Sequence, residues 1–206
     1  MKSTNKMLMV AVLATVVASG CVSTDYRSAQ SGVTAVGKMR VTLGPGWRRA
    51  PGAETPELLS PSRTLSRDGL EHDRLILIAG ISEGKPIFRE GAAGGLPVFQ
   101  ATMAAPEIAV LIAASLQAVL WDGTADVRAK NIREHGFVGV PGLMFELDAD
   151  VPGSKDHRGM AGGFVYEGRL YINIFLAESP EYYERHRQIA QEVIESAVPT
   201  IKTIRM

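Results

Sequence analysis

The sequence predicts an α+β domain in which a mostly antiparallel central sheet is flanked by helices. Three observations point to it. Residues 39–43, 75–79, 127–133, 143–147 and 162–176 carry alternating or continuous apolar patterns of strand length. Residues 106–120 and 180–198 each open on a proline and place apolar residues at helical spacing. The order strand, loops, strand, helix, several strands, helix suggests hairpin-linked strands with helices packed on the sheet.

The elements follow in order along the chain. Val22 to Gly37, rich in Ser, Thr, Gly and Ala, reads as a tether. Met39, Val41 and Leu43 alternate with polar residues, as in a strand with one buried face, and Gly44-Pro45-Gly46-Trp47 closes it with a turn. Arg48 to Gly69 is rich in Pro, Ser and charge and reads mostly as loop. Leu75-Ile76-Leu77-Ile78-Ala79 reads as a strand buried on both faces. Residues 82–104, with Gly91-Ala92-Ala93-Gly94-Gly95, form a long irregular segment, and loops of this length in compact domains are functional or mobile.

Pro106 suits the first turn of a helix running to Leu120. Its apolar residues cover most of its circumference, which predicts a buried helix. Val127–Arg133 and Leu143–Leu147 are expected strands. Gly162–Tyr166 and Arg169–Leu176 form the clearest hairpin, turning at Glu167-Gly168. Its second strand sends Leu170, Ile172, Ile174 and Leu176 to one face, with Tyr171, Asn173 and Phe175 on the other. In the last helix Ser179 is the expected N-cap, Pro180 the first residue and Glu181 a complement to the dipole. Tyr182, Ile189, Val193 and Ala197 are expected on one side, Glu181 and Arg185 form an i,i+4 pair, and Pro199 ends the helix.

The first 21 residues carry a separate signal. Lys2 and Lys6 precede an apolar run from Met7 to Ala18, too short for a bilayer span, which needs roughly 20 residues. Ala18-Ser19-Gly20 then leads to Cys21, the only cysteine. This resembles the lipobox of bacterial lipoprotein signal peptides. The resemblance implies a signal peptide over 1–20, a diacylglyceryl group on the Cys21 thiol and acylation (palmitate) of its amine. Residues 21–38 would be the lipidated N-terminus and tether, and 39–206 one globular domain. Two acyl chains suffice for stable anchoring. Val22 after the cysteine, in place of an aspartate, implies the outer membrane and a periplasm-facing domain.

Composition limits the function classes. With 46% hydrophobic residues the chain can bury a real core. Removing the leader takes away Lys2 and Lys6 and no acid, leaving 20 basic against 22 acidic residues, a net charge of −2. That balance offers no electrostatic reason to expect nucleic acid, and it argues against a polybasic membrane-binding surface. No cysteine remains for disulfides, so packing alone must hold the fold in an oxidising compartment.

The turn Gly44-Pro45-Gly46-Trp47, the closing hairpin and the terminal helix together resemble the PsbP-like fold over residues 39–200. The resemblance implies a small α/β/α sandwich acting as a binding or assembly module. It brings no catalytic motif to transfer.

The residues that catalysis would need have ordinary surface and core readings in this sequence. His72, His135, His157 and His186 share no metal-ligand spacing, and Asp148, Asp150, Asp156 and His157 read as a solvated hairpin loop. No Gly-x-Ser-x-Gly elbow is present, and Gly91–Gly95 lacks the order of a phosphate loop. Glu134, Glu146 and Asp148 are the carboxylates from which a glycosidase pair would be drawn, but Glu146 and Asp148 read as the polar face of a strand. Trp47 reads as a core or rim residue, and Trp121, capping the buried helix, as core. No catalytic, metal or cofactor residue is assigned. Tyr171, Tyr183 and Arg187 are singled out as a contact patch for a partner. The expectation is a lipid-anchored, non-enzymatic envelope protein that binds a protein partner. A module for a small molecule or lipid, with the helix 106–120 and the loop 84–104 over a cavity, is the first alternative. An envelope hydrolase is the second.

Overall fold

The computed structural model describes residues 26–52, 55–89 and 95–200. The leader, Cys21 and residues 90–94 lie outside the described residues. In chain order the elements are β1 (Arg27–Ser28), β2 (Gly32–Val36), β3 (Met39–Leu43), β4 (Arg48–Arg49), β5 (Ser62–Ser66) and β6 (Asp73–Ser82). Then come α1 (Ala105–Leu120), β7 (Asp126–Phe137), β8 (Val140–Asp150), β9 (His157–Tyr166), β10 (Arg169–Glu178), α2 (Ser179–Glu195) and β11 (Val198–Pro199).

An eight-stranded sheet runs β1-β4-β5-β6-β10-β9-β8-β7, with every pairing antiparallel. A three-stranded sheet, β11-β3-β2, accompanies it. The alternation along β10 decides the layers. Leu170, Ile172, Ile174 and Leu176 join a core with Ile108, Leu111, Ile112 and Leu116 of α1. Tyr171, Phe175 and Ala177 join a second core with Ala190, Val193 and Ile194 of α2 and with Met39, Val41 and Leu43 of β3. The large sheet is therefore covered on both faces, and the fold is α+β as the pattern predicts.

Local chemistry explains the joints. Glu167 and Gly168 both adopt positive φ, 51° and 67°, which a two-residue hairpin loop requires. Glu107 accepts a hydrogen bond from the Ala104 amide at 2.7 Å, satisfying an otherwise unpaired donor at the start of α1. Gly162 lets α2 approach β9 closely, since a Cβ there would lie 2.6 Å from Cγ2 of Ile194.

Several expectations are corrected. The stretch read as tether contains β1 and β2, and β2 pairs along its length with β3, so ordered structure starts before residue 39. The region read as loop holds β4 and β5, because Thr64 and Leu65 bury against β6. Helix α1 is not buried all round: apolar Val110 is 63% exposed, because only one face meets the sheet. The cap of α2 is Glu178, not Ser179. The buried stripe of α2 runs through Tyr183, His186, Ala190, Val193 and Ile194, so Tyr182 lies beside the core rather than in it.

Candidate functional site

Two clefts flank the β7–β8–β9 end of the large sheet. The larger, about 660 Å³, is bounded by the first turns of α1 and the β7–β8 hairpin. Ile108, Val140, Leu143 and Phe164 give it an apolar lining, and Glu134 and His135 are its polar groups. Its rim is the hairpin tip. Phe137 pairs with Val140, leaving Val138 and Gly139 as a two-residue loop with φ of 45° and 85°. Such loops favour Asn-Gly, because both residues need positive φ. A β-branched residue in that backbone is a true outlier. Val138 is also 75% exposed, so burial does not explain its choice. Sequence reasoning missed this residue. Its signal was a Val-Gly pair in a hairpin turn where Asn-Gly is the rule.

The second cleft, about 360 Å³, lies between the sheet and α2 and is lined by both Tyr183 and Arg187. Lys130 of β7 pairs with Asp148 of β8. Asn131 donates to Glu146 at 2.7 Å, and Arg187 pairs with Glu184 at 2.7 Å. Burial raises the Tyr183 hydroxyl above its ordinary value, and the Glu146 charge adds to this, so the phenol stays protonated at neutral pH. Each lining carboxylate is engaged by a cation or an amide. The cleft is a charge-balanced polar surface.

Tyr171 does not join that patch. It is 1% exposed and stacks on Phe164 with ring centroids 5.1 Å apart, because β10 is an inner strand covered by α2. Of the expected three-residue patch only Arg187 is exposed: Tyr183 belongs to the buried stripe of α2, stacks with Phe175 and reaches only the wall of the cleft. Trp47 is core, packed edge-on against Phe175. Trp121 follows α1 and meets His157 edge-on.

The structure adds a buried acid that the sequence reading did not name. Asp73 accepts hydrogen bonds from the Ser66 hydroxyl at 2.8 Å, the Arg67 amide at 3.0 Å and the Asp68 amide at 2.8 Å. Its role is to hold the β5–β6 turn. From that turn Asp68 reaches α2, lying 2.8 Å from His186 Nε2 and accepting from Arg185 at 3.2 Å. Burial pushes the Asp68 carboxyl up, but His186 and Arg185 outweigh it and hold the group below its ordinary value. His72 stacks on Tyr182 at 4.4 Å and lies 3.2 Å from Glu178. These contacts dock α2 onto the β5–β6 turn and its neighbours. Among the described residues no three His, Cys, Asp or Glu side chains converge as a metal site. No helix among them is long and apolar enough to cross a membrane.

Solved structures with this arrangement of sheet and helices are known. The cyanobacterial PsbP protein (CyanoP) of Synechocystis sp. PCC 6803 matches with a TM-score of 0.52, over 91% of this chain and 98% of its own, at 14% identity. The fold is PsbP-like. The Ran-binding protein Mog1p of Saccharomyces cerevisiae matches with a TM-score of 0.50, over 86% of this chain and 97% of its own, at 8% identity. No protein-family model and no curated protein sequence matches the chain. At these identities the likeness concerns the fold alone.

Proposed function

We propose that this protein is a lipid-anchored, non-enzymatic binding or assembly module of the bacterial envelope. It is held at the outer membrane through acyl chains on Cys21 and presents the Val138 hairpin with its apolar cleft to a protein partner. The carrying observation is Val138. Left-handed backbone at a non-glycine residue costs on the order of 1–3 kcal/mol, and such strain clusters at functional sites. An exposed valine at that cost, on the rim of an apolar cleft, suits a side chain reserved for contact with another molecule. That one neighbour of this fold is a Ran-binding protein supports protein recognition as a use of the scaffold.

The test is a photo-crosslinking residue at position 138 of the anchored protein in intact cells, with Gln188 on the exposed side of α2 as the comparison site. A discrete envelope-protein adduct from 138 and none from 188 is the expected result. Identical products from both sites, or none from either, would count against the reading.

The cleft volume favours a second reading, an apolar small molecule or lipid, because ligand pockets span roughly 300–1,000 Å³. Native mass spectrometry of the protein taken from membranes distinguishes the two: a stoichiometric small-molecule adduct lost on Leu143→Glu would favour the ligand.

A further inference from the structure

The sheet edge farthest from the apolar cleft carries a cluster of arginines. Arg27 of β1 and Arg49 of β4 are direct cross-strand partners and both are exposed. Like charges placed directly opposite one another are destabilising. Arg49 is in turn opposite Leu65, and Arg63 lies two residues before Leu65 on β5, so all three arginines belong to one face of the sheet. Arg49 and Arg63 line a small cleft of about 170 Å³ with Thr55, Ser62 and Thr64, and among the described residues no carboxylate lines it. Arg48 and Arg67 stand beside them and are bonded only to backbone carbonyls, those of Arg67 and Pro45, each at 2.6 Å. None of these five arginines forms a salt bridge among the described residues, although most acids of the surrounding loops do: Glu57 pairs with Arg89 and Asp68 with Arg185.

The same edge is where the chain leaves the domain toward Cys21. Tyr26 is fixed there. Its hydroxyl accepts the Leu70 amide at 2.8 Å, and its ring lies 5.0 Å from the Arg48 guanidinium. Four residues separate Cys21 from Tyr26, five steps along the chain, so Tyr26 lies within roughly 18 Å of Cys21 even with the intervening chain fully extended.

We infer that this edge, through Arg27, Arg49 and Arg63, docks onto the anionic phosphate headgroups of the membrane that holds the lipid anchor. The inference rests on the reading of Cys21 as acylated and deepens it: it names the surface that faces the bilayer. An anionic headgroup relieves the Arg27–Arg49 repulsion and supplies a counter-charge that the described residues do not provide. The reach of at most roughly 18 Å keeps the edge close enough to approach the surface to within a Debye length, about 8 Å at physiological salt, where the attraction is not screened away. The overall charge of the mature chain does not oppose this, because docking depends on local charge rather than on the sum. Docking also sets the orientation. The β1 edge and the β7 edge are the two ends of the eight-stranded sheet, seven spacings of about 4.8 Å or roughly 34 Å apart. With β1 on the membrane, the Val138 hairpin points away from it toward a partner.

The experiment uses the mature chain with Cys21→Ser, so that vesicle binding reports the arginine edge without acyl chains. Sedimentation with phosphatidylglycerol-rich vesicles and with phosphatidylcholine vesicles at low salt compares this form with R27E/R49E. A control pair, R128E/R133E, makes the same charge change on β7. The expected result is binding to the anionic vesicles only, lowered about tenfold or more by R27E/R49E and little by the control. Thermal unfolding checks that each variant is folded, and R27Q/R49Q replaces the reversal pair if it is not. Equal binding to both vesicle types, or equal losses in the two pairs, overturns the proposal. So does saturable binding of inorganic phosphate at these arginines without vesicle binding. Intact mass of the wild-type protein from membranes reads Cys21 acylation separately, so a failed anchor and a failed headgroup surface give different results.

Discussion

Replacing Val138 by Asn should stabilise the fold and weaken partner capture at the same time. Val138 holds φ of 45° in the two-residue loop between Phe137 and Val140, with Gly139 at 85°. Asn tolerates that backbone, and Asn-Gly is the preferred pair for such a loop, so the substitution relieves about 1–2 kcal/mol of strain. Against this stands the apolar burial that is lost. A fully buried valine contributes about 1.5–3 kcal/mol, and with Val138 75% exposed only about a quarter of that applies, roughly 0.4–0.7 kcal/mol. The net gain is about 1 kcal/mol, or about 2–4 °C in Tm for a domain of this size. Urea unfolding at unchanged slope measures the stability, and affinity capture from envelope extracts measures the binding. A stability that falls or stays level refutes the strain argument. A stability that rises with capture intact refutes the assignment of Val138 as a contact.

Asn173 is fully buried with both side-chain amide atoms unpartnered among the described residues, so Asn173→Val should raise stability by about 1–3 kcal/mol; a loss in chemical denaturation would mean the amide is satisfied in solution. Gly163→Ala should destabilise by more than about 2 kcal/mol, because its Cβ meets the backbone carbonyl of Tyr171 and Cα of Ile172 at 3.2 Å, atoms that cannot move aside; a near-neutral effect in thermal unfolding would contradict the tight β9–β10 pairing. The lowered Asp68 carboxyl stabilises the fold above the unfolded-state titration, and that contribution disappears as pH falls through the folded value. Asp68→Asn should therefore be less stable than wild type at neutral pH and match it once pH is below the carboxylate range; parallel stability curves at all pH values would exclude the Asp68–His186–Arg185 contact as the cause.

Much of the fold was legible because its signals are local. The hairpin at Glu167-Gly168 follows from two residues that must take positive φ, and α1 and α2 follow from prolines at their starts and apolar residues at helical spacing. β5 was not legible, because Ser62-Arg63-Thr64 is polar and becomes a strand by pairing with β6. The short β1 and β4 depend on each other in the same way.

The candidate site was legible only in part. Tyr183 and Arg187 do line a cleft, since both lie on the side of α2 that meets the sheet margin. Alternation along β10 correctly separates Tyr171 from Ile172, but a period of two reports which face a side chain takes and not what covers that face. The sequence by itself determined the periodicities, the turns, the α+β class and the signature around Cys21, because each depends on neighbours a few residues apart. Only the tertiary structure decided that α2 covers Tyr171, that Val138 stands exposed over an apolar cleft, and that Arg27, Arg49 and Arg63 gather at one edge. Those outcomes depend on strand order and layer packing, which bring together residues far apart along the chain.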